Sequence, residues 1–351
     1  MRSSMVEHLV CPRTGLGLSL EIGSEEGDHV VEGALFNVKA GVRYPIHGGI
    51  PRFVEIDKIE DDDVRATAET FSEKWTKIPD YAADGDTKTL REAWYFERFG
   101  FEKGDASLRE FLGDSTYILE VGTGAGVDTD LLTRNSDGLV FGVDIGSGIE
   151  IAYERFKKDP RICLMQADLA ALPFREAFFD VISCDQVLHH SSDPPRNFSH
   201  LASRLAEGGR IVLYVYSKKG ALREFADDYL RERVINYTPD EAIRVSRSMA
   251  ELGRELQSIG GSVSFSQDIP ELGIAAGDYE LQRFIYDHIL KCFWNDRFDD
   301  ETNTMVNFDW YRPVHAFRYT PEQVEKWVRE ACMETLHVDV CPSGISIIAR
   351  R

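Results

Sequence analysis

The sequence predicts an α/β protein: a doubly wound, seven-stranded sheet with a small β-rich unit before it and a helical cap inserted late in the chain. Three observations predict this. From Tyr117 onward, short apolar runs alternate with helix-compatible stretches, the pattern of parallel strands with helices on their faces. Before Asp57, strand-like runs are punctuated by Gly23, Gly27, Gly33, Gly41, Gly48 and Gly49, which reads as an antiparallel unit with tight turns. Between Tyr216 and Thr335 lie over a hundred residues, far more than one crossover helix needs.

Taken in order, residues 1–56 contain strand-like runs at Leu18–Ile22, His29–Val31, Ala34–Val38 and Val42–Ile46. The acidic run Asp57–Asp63 marks a boundary, and residues 57–113 read as linker and helices. Their aromatics Phe71, Trp75, Tyr81, Trp94, Tyr95 and Phe96 are expected in the core rather than in a ligand lid. The central unit, 114–217, places strands at Tyr117–Val121, Leu139–Val143, Ile162–Gln166, Asp180–Cys184 and Arg210–Tyr216, with a helix after each of the first four. Residues 218–333 form the insertion, with helices over Ala221–Arg233, Pro239–Ser258 and Tyr279–Phe293. It is expected to cover the C-terminal edge of the sheet, where open α/β sheets bind ligands. Residues 334–351 supply the two closing strands, Thr335–Val340 and Ile345–Arg350.

Composition narrows the setting. The 351 residues are 43% hydrophobic, enough for a sizeable core, and carry a formal charge of −20. A field of that sign repels phosphate backbones and anionic lipids, so neither a nucleic-acid nor a membrane partner is expected. No apolar run is long enough to span a bilayer, and the start MRSSMVEHLVCPRTG has no signal-peptide core. Six cysteines at 11, 163, 184, 292, 332 and 341 include no CxxC pair; this reads as reduced thiols in a cytoplasmic protein. The sequence is compatible with a homodimer.

Three motifs carry chemistry. The strand Tyr117–Val121 runs into glycines 122, 124 and 126, where the backbone turns sharply and a ligand can approach without a Cβ in its way. The spacing is GxGxG rather than the dinucleotide GxGxxG, and an ordinary strand–helix loop has the same look. Asp144 ends the second strand, 24 residues after Glu120. A carboxylate there accepts hydrogen bonds from ribose hydroxyls of either NAD or S-adenosylmethionine, or simply caps the next helix. After the third strand, Asp168 and Leu169 are placed to meet an adenine amine and ring. The fourth strand ends in Asp185-Gln-Val-Leu-His-His190, and Leu205-Ala-Glu-Gly-Gly-Arg210 turns into the fifth.

This succession, over about residues 115–217, resembles the Rossmann-like class I S-adenosylmethionine-dependent methyltransferases. The resemblance implies that Glu120, Gly122, Thr123 and Gly124 shape the methionine pocket and that Asp144 and Ile145 hold the ribose. It implies that Asp168 and Leu169 contact adenine, and that Asp185 and Gln186 lie beside the methionine moiety. The stretch Val187-Leu-His-His-Ser-Ser-Asp-Pro194 is similar to the LHHxxDP loop of the small-molecule branch that includes quinone C-methyltransferases. Residues 9–14, 33–46 and 48–51 resemble the short zinc-ribbon domain that precedes many such enzymes. Of its two CxxC pairs only Cys11 remains; Thr14 takes its partner's place, and the second pair falls near Asn37 and Ala40. One thiolate does not hold a tetrahedral zinc, so no metal is expected.

For the reaction, in-line displacement at a sulfonium asks the protein to position and desolvate an acceptor. A base is needed only if that acceptor starts protonated. His189 is the preferred base, with His190 beside it; either could instead cap or pack. Tyr216 ends the fifth strand nearest the opening, and Lys218 and Lys219 after it read as solvated charge. Asn307-Phe-Asp-Trp-Tyr-Arg-Pro313 resembles a DWYxP stretch of some methyltransferases with comparable inserts, which makes Asp309, Tyr311 and Arg312 substrate-wall candidates. Arg312 or Arg223 would clamp a carboxylate, which points to an acidic or amino-acid-like small-molecule acceptor. Competing readings are an intramolecular displacement on S-adenosylmethionine, releasing methylthioadenosine without an acceptor, and a non-catalytic partner protein that keeps the fold. Asp185-Gln-Val-Leu stands where base-amine methyltransferases carry Asn-Pro-Pro-aromatic.

Overall fold

A computed structural model describes residues 1–81, 83 and 85–351. Strands β1 (Ser19–Glu26), β2 (His29–Asn37), β3 (Val42–His47) and β4 (Ile50–Pro51) form an antiparallel meander. Three helices follow, α1 (Asp62–Lys77), α2 (Gly85–Arg98) and α3 (Asp105–Leu112). The central unit runs β5 (Tyr117–Val121), α4 (Val127–Arg134), β6 (Leu139–Asp144), α5 (Gly148–Phe156), β7 (Ile162–Gln166), β8 (Phe179–Cys184), α6 (Pro194–Arg204) and β9 (Leu205–Tyr216). The insertion holds α7 (Ala221–Val234), α8 (Pro239–Ile259), the hairpin β10 (Ser262–Phe265) and β11 (Gly277–Glu280), α9 (Leu281–His288) and α10 (Asp300–Tyr311). The chain closes with α11 (Pro321–Glu330), β12 (Glu334–Val340) and β13 (Gly344–Arg350).

The main sheet has the order β12-β13-β9-β8-β5-β6-β7, with β13 antiparallel to both its neighbours and the other neighbouring pairs parallel. Strand order reverses between β5 and β8, and that reversal opens a crevice at their C-terminal ends. Alternation along β5 splits the core: Ile118 faces Tyr95, Leu108 and Val140, while Leu119 and Val121 face Phe141, Phe174 and Phe179. The N-terminal meander joins the second of these clusters through Met5, Leu9, Val30 and Leu35. It also bonds directly to the main unit, the Phe53 amide donating to the Gln166 carbonyl (2.8 Å) and Val10 to Pro173 (2.9 Å).

Several expected elements differ. Residues 29–37 form one strand rather than two: Gly33 does not break it, because a Cβ there would lie 2.3 Å from the Glu21 carbonyl of the neighbouring strand. The third strand is followed by a single 3₁₀ turn, Leu169–Ala171, not an α-helix; Pro173 disfavours helical geometry at Leu172 just before it. The acidic run is only partly linker, since Asp61 caps α1 by accepting from the amides of Asp63 and Val64. Within Tyr279–Phe293 only Leu281–His288 is α-helical, the stretch beginning as β11.

In the N-terminal antiparallel unit, the Cys11 thiol is sealed 3.4 Å from the Tyr44 hydroxyl. Asn37, where a second pair would begin, reaches across to the Gly17 carbonyl (2.7 Å) and accepts from the Ala40 amide (2.9 Å). Hydrogen bonds thus tie the two turns together.

The insertion is organised by one buried carboxylate. Asp227 on α7 accepts from Arg223 Nε (2.5 Å), Trp310 Nε1 (2.9 Å), the Tyr311 hydroxyl (3.2 Å) and the Lys291 amide (3.0 Å). Removing it leaves the Arg223 guanidinium buried and unpaired. Asp227→Ala is therefore expected to destabilise the protein by about 3–5 kcal/mol, read as a fall in denaturation midpoint.

Candidate active site

A cavity of about 670 Å³ lies at the C-terminal ends of β5, β6, β8 and β9, walled by α1 and α2 on one side and by the insertion on the other. At its floor the chain turns after β5 through Gly122 (φ +76°), Gly124 (φ +52°) and Gly126 (φ +86°), all in the region that favours glycine. The freedom serves protein packing too: a Cβ on Gly122 would lie 2.1 Å from Val187, and one on Gly124 2.6 Å from the Trp75 ring.

Asp144 fixes this loop. Its Oδ2 accepts from the Gly124 amide (2.7 Å) and its Oδ1 from the Gly146 amide (2.6 Å). Burial pushes its carboxyl up to about 6, against the pull of those two amides. Each oxygen keeps a lone pair for a hydroxyl. Asp168 lines the same end of the cavity, with Oδ1 engaged by the Ala170 amide (2.9 Å) and the carboxyl raised by burial. Glu120 is buried beneath the loop and bonded to the Thr129 hydroxyl; burial, then Asp128, raise it well above the ordinary carboxylate range. Ile145, Leu169 and Thr123 also line the wall.

Beside β8, Asp185 Oδ2 accepts from Arg98 (2.8 Å) and Arg91 (2.9 Å), both from α2. Burial alone would raise this carboxyl, but the two guanidiniums outweigh it and hold it below the usual range. Among the described residues, Asp185 Oδ1 and Arg91 Nη1 have no hydrogen-bond partner although both are buried. Gln186 follows with φ +61°, an uncommon backbone for this residue. An acceptor and a donor left open together match the ammonium and carboxylate of an α-amino acid.

The histidines exchange their expected parts. His189 is fully buried, stacked on Tyr216 with centroids 3.7 Å apart, and does not line the cavity. Burial, then His190, depress it well below its usual value. His190 lines the cavity instead. Its Nδ1 lies 2.7 Å from the His315 carbonyl, which fixes the proton on Nδ1 and leaves Nε2 a lone pair with no partner among the described residues. Burial lowers it to about 4, so the ring is neutral at physiological pH. Tyr216 lines the cavity as expected, with Trp310 packed 4.8 Å from its ring.

The insertion's candidates separate. Asp309 reaches the cavity, held by Lys74 of α1 (2.6 Å). Tyr311 and Arg312 do not line it. The Tyr311 hydroxyl is committed to Asp227 and to the Lys291 carbonyl (2.7 Å), and Arg312 to the Ile235 carbonyl (3.1 Å). Arg223 lines the wall, but Asp227 already neutralises its charge. Sequence reasoning missed Arg91, Arg98, Lys74 and Lys291, and read Lys219 as solvated. It also assigned Phe71, Trp75, Tyr81 and Trp94 to the core, whereas all four line the cavity. One signal was available: Val64, Thr67, Ala68, Phe71 and Trp75 recur at helical spacing, and all of them face the cavity from α1.

Residues 119–213 match the family described as a methyltransferase domain. Over 165 residues the chain is 38% identical to an uncharacterised protein of Synechococcus sp., covering 45% of this chain and 39% of that one. It is 32% identical over 125 residues to a probable tRNA methyltransferase 9B of Mus musculus (34% and 26% covered). It is also 32% identical over 100 residues to the 27-O-demethylrifamycin SV methyltransferase of Amycolatopsis mediterranei (27% and 37% covered). The matched stretch spans less than half the length of each of these relatives. A methyltransferase structure from Mesorhizobium loti superposes with a TM-score of 0.43 at 16% identity, covering 70% of this chain and 96% of that one. Residues 119–213 thus match a methyltransferase domain, and they supply strands β5 to β9 of the seven-stranded sheet described above.

A pH prediction follows from Asp144. Its ionised form is the better acceptor for ribose hydroxyls, and that form is lost as pH falls through about 6. Cofactor affinity is expected to drop by about tenfold between pH 7.5 and 5.0 if only the carboxylate binds. Asp144→Ala should weaken binding at pH 7.5 by about 1–3 kcal/mol and flatten the pH dependence, both measured by calorimetry.

Proposed function

We propose that this protein transfers a methyl group from S-adenosylmethionine to a small-molecule acceptor held beneath the inserted cap. The observation that carries the reading is the continuity of the cavity: one space is lined by the Gly122–Asp144–Asp168 cradle at one end and by Asp309, Trp310 and Tyr216 at the other. Its volume, about 670 Å³, lies in the range of about 300–1,000 Å³ typical of small-ligand sites. The Lys74–Asp309 ion pair ties α1 to α10 beside it. The formal charge of −20 weighs against a polyanionic acceptor.

In this reading Asp144 and Ile145 hold the ribose, and Asp168 with Leu169 holds adenine. Glu120, Gly122, Thr123, Gly124 and Gln186 shape the methionine pocket. The unpartnered Asp185 Oδ1 and Arg91 Nη1 take the amino-acid end, each gaining the partner it lacks. When bound, S-adenosylmethionine supplies an electrophilic methyl group for in-line displacement. The chain's own contribution is to orient and desolvate the acceptor between Trp310, Tyr216 and His190. His190 Nε2 accepts the proton of an acceptor O–H or N–H, while the His315 carbonyl keeps the other ring proton on Nδ1. His189, sealed behind Tyr216, sets that ring's position rather than touching substrate.

The test is incubation of the purified protein with S-adenosylmethionine and fractionated small-molecule extracts, read by mass spectrometry. The expected result is acceptor-dependent S-adenosylhomocysteine with a methylated product. Methylthioadenosine formed without acceptor would reject the reading in favour of intramolecular displacement. Once an acceptor is known, His190→Ala should lower kcat by about 10²-fold while leaving cofactor Kd unchanged.

A further inference from the structure

The far end of the cavity carries positive charge that no carboxylate among the described residues pairs. Lys291, between α9 and α10, is 6% exposed. Among the described residues it has no carboxylate within ion-pair distance, and its ammonium makes no hydrogen bond. Its surroundings are three aromatic rings: Trp310 at 5.0 Å, Tyr286 at 5.6 Å and Phe293 at 5.8 Å from Nζ. Its backbone is pinned on both sides, the amide donating to Asp227 (3.0 Å) and the carbonyl accepting from Tyr311 (2.7 Å). A flexible surface lysine would turn outward to water; this one is held facing inward.

A second ammonium stands by the same indole. Lys219 Nζ is 5.5 Å from the Trp310 centroid and bonds to the Ser217 hydroxyl (3.1 Å), the Ser343 carbonyl (2.9 Å) and the Pro342 carbonyl, again without a carboxylate among the described residues. Of the other cations over the Trp310 ring, Arg223 is matched by Asp227, and Arg318 by Glu224 and Asp228, while Arg231 behind it is taken up by the Trp310, Pro313 and Val314 carbonyls. Arg283, on the same wall, is paired with Asp287. Burial, then the charges of Arg223 and Lys291, pull Lys219 down to about 7, outweighing the opposing pull of Cys341 and Asp287. Burying an unpaired ammonium is costly, and rings alone offset it only in part.

We infer that the cap end of the cavity is an oxyanion subsite, in which Lys291 with Lys219 beside it binds a carboxylate or phosphate group of the acceptor while Trp310, Tyr286 and Phe293 take its apolar body. The expected carboxylate clamp is thereby moved from Arg223 and Arg312, whose bonds are already committed, to two lysines. This inference rests on the methyltransferase reading for the word acceptor, but not for the anion site itself.

The full-length protein, with and without saturating S-adenosylhomocysteine, is titrated calorimetrically with benzoate, phenyl phosphate and benzamide. One of the two anions should bind at least tenfold tighter than the amide, and which one does identifies the oxyanion. Lys291→Met should abolish that preference and also raise the melting temperature, because it replaces a charge without an ion-pair partner by an apolar side chain among three rings; Lys291→Arg should keep the preference. Equal binding of all three probes, or a preference that survives in Lys291→Met, would overturn the subsite, as would a lower melting temperature for that variant. If the anion preference is present but S-adenosylhomocysteine does not bind, the methyltransferase reading fails and the subsite stands. Cofactor binding without anion preference gives the reverse.

Discussion

Everything at the floor of the cavity depends on one carboxylate bridging two backbone loops. Asp144 ends β6, yet its oxygens are taken by an amide from the loop after β5 and an amide from the loop after its own strand. Parallel strands leave such loops side by side, but nothing in strand pairing fixes their distance. A desolvated carboxylate with two amide donors does so, because neither amide has another partner of comparable strength there. The glycines at 122, 124 and 126 then follow as a requirement: with φ positive at each and Val187 and Trp75 against the first two, no side chain fits. The cradle is thus shaped by contacts among protein groups before any ligand enters.

The second organising charge is Asp227. A buried carboxylate with four donors orients Trp310 from one helix and the Lys291 backbone from a connecting segment. Tyr311, which touches no cavity surface, contributes by closing the other side of Lys291. The Asn307–Pro313 stretch therefore works in two layers. Asp309 and Trp310 face the cavity, and Tyr311 and Arg312 face away to hold the scaffold, as alternation around a helix demands.

How much of this was legible in the sequence follows from which interactions are local. The strands Tyr117–Val121 and Ile162–Gln166 occupy the residues their apolar runs mark, because buried parallel strands need continuous apolar side chains. The glycine turn and the acidic residues after β6, β7 and β8 were also visible, since each is set by its position at a strand end. What escaped depends on contacts between distant segments. Arg91 and Arg98 lie 94 and 87 residues from Asp185, and no local pattern links them. His189 and His190 are chemically identical in sequence; only the stacking of one on Tyr216 and the bond of the other to His315 tells them apart. Lys219 looked solvated because a lysine after a strand usually is, and only the insertion folding over it buries it.

The distribution of charge adds a last step. With 60 acidic residues against 40 basic, the protein has abundant carboxylates with which to neutralise two lysines, and it does so for Arg223, Arg283 and Arg318 within the same neighbourhood. Lys219 and Lys291 thus stand without a carboxylate where carboxylates are not scarce, Lys219 held by one hydroxyl and two carbonyls and Lys291 by rings alone. A fold selected for stability alone would replace Lys291 by an apolar residue of similar length among those three rings. A cation whose backbone is pinned and whose ammonium is unpaired and open to the cavity gains a counter-charge only when an anion arrives from outside. The surrounding acidity then acts in the same direction: it repels polyanions from the surface, while the cap end of the cavity retains a small local positive field for a single charged group.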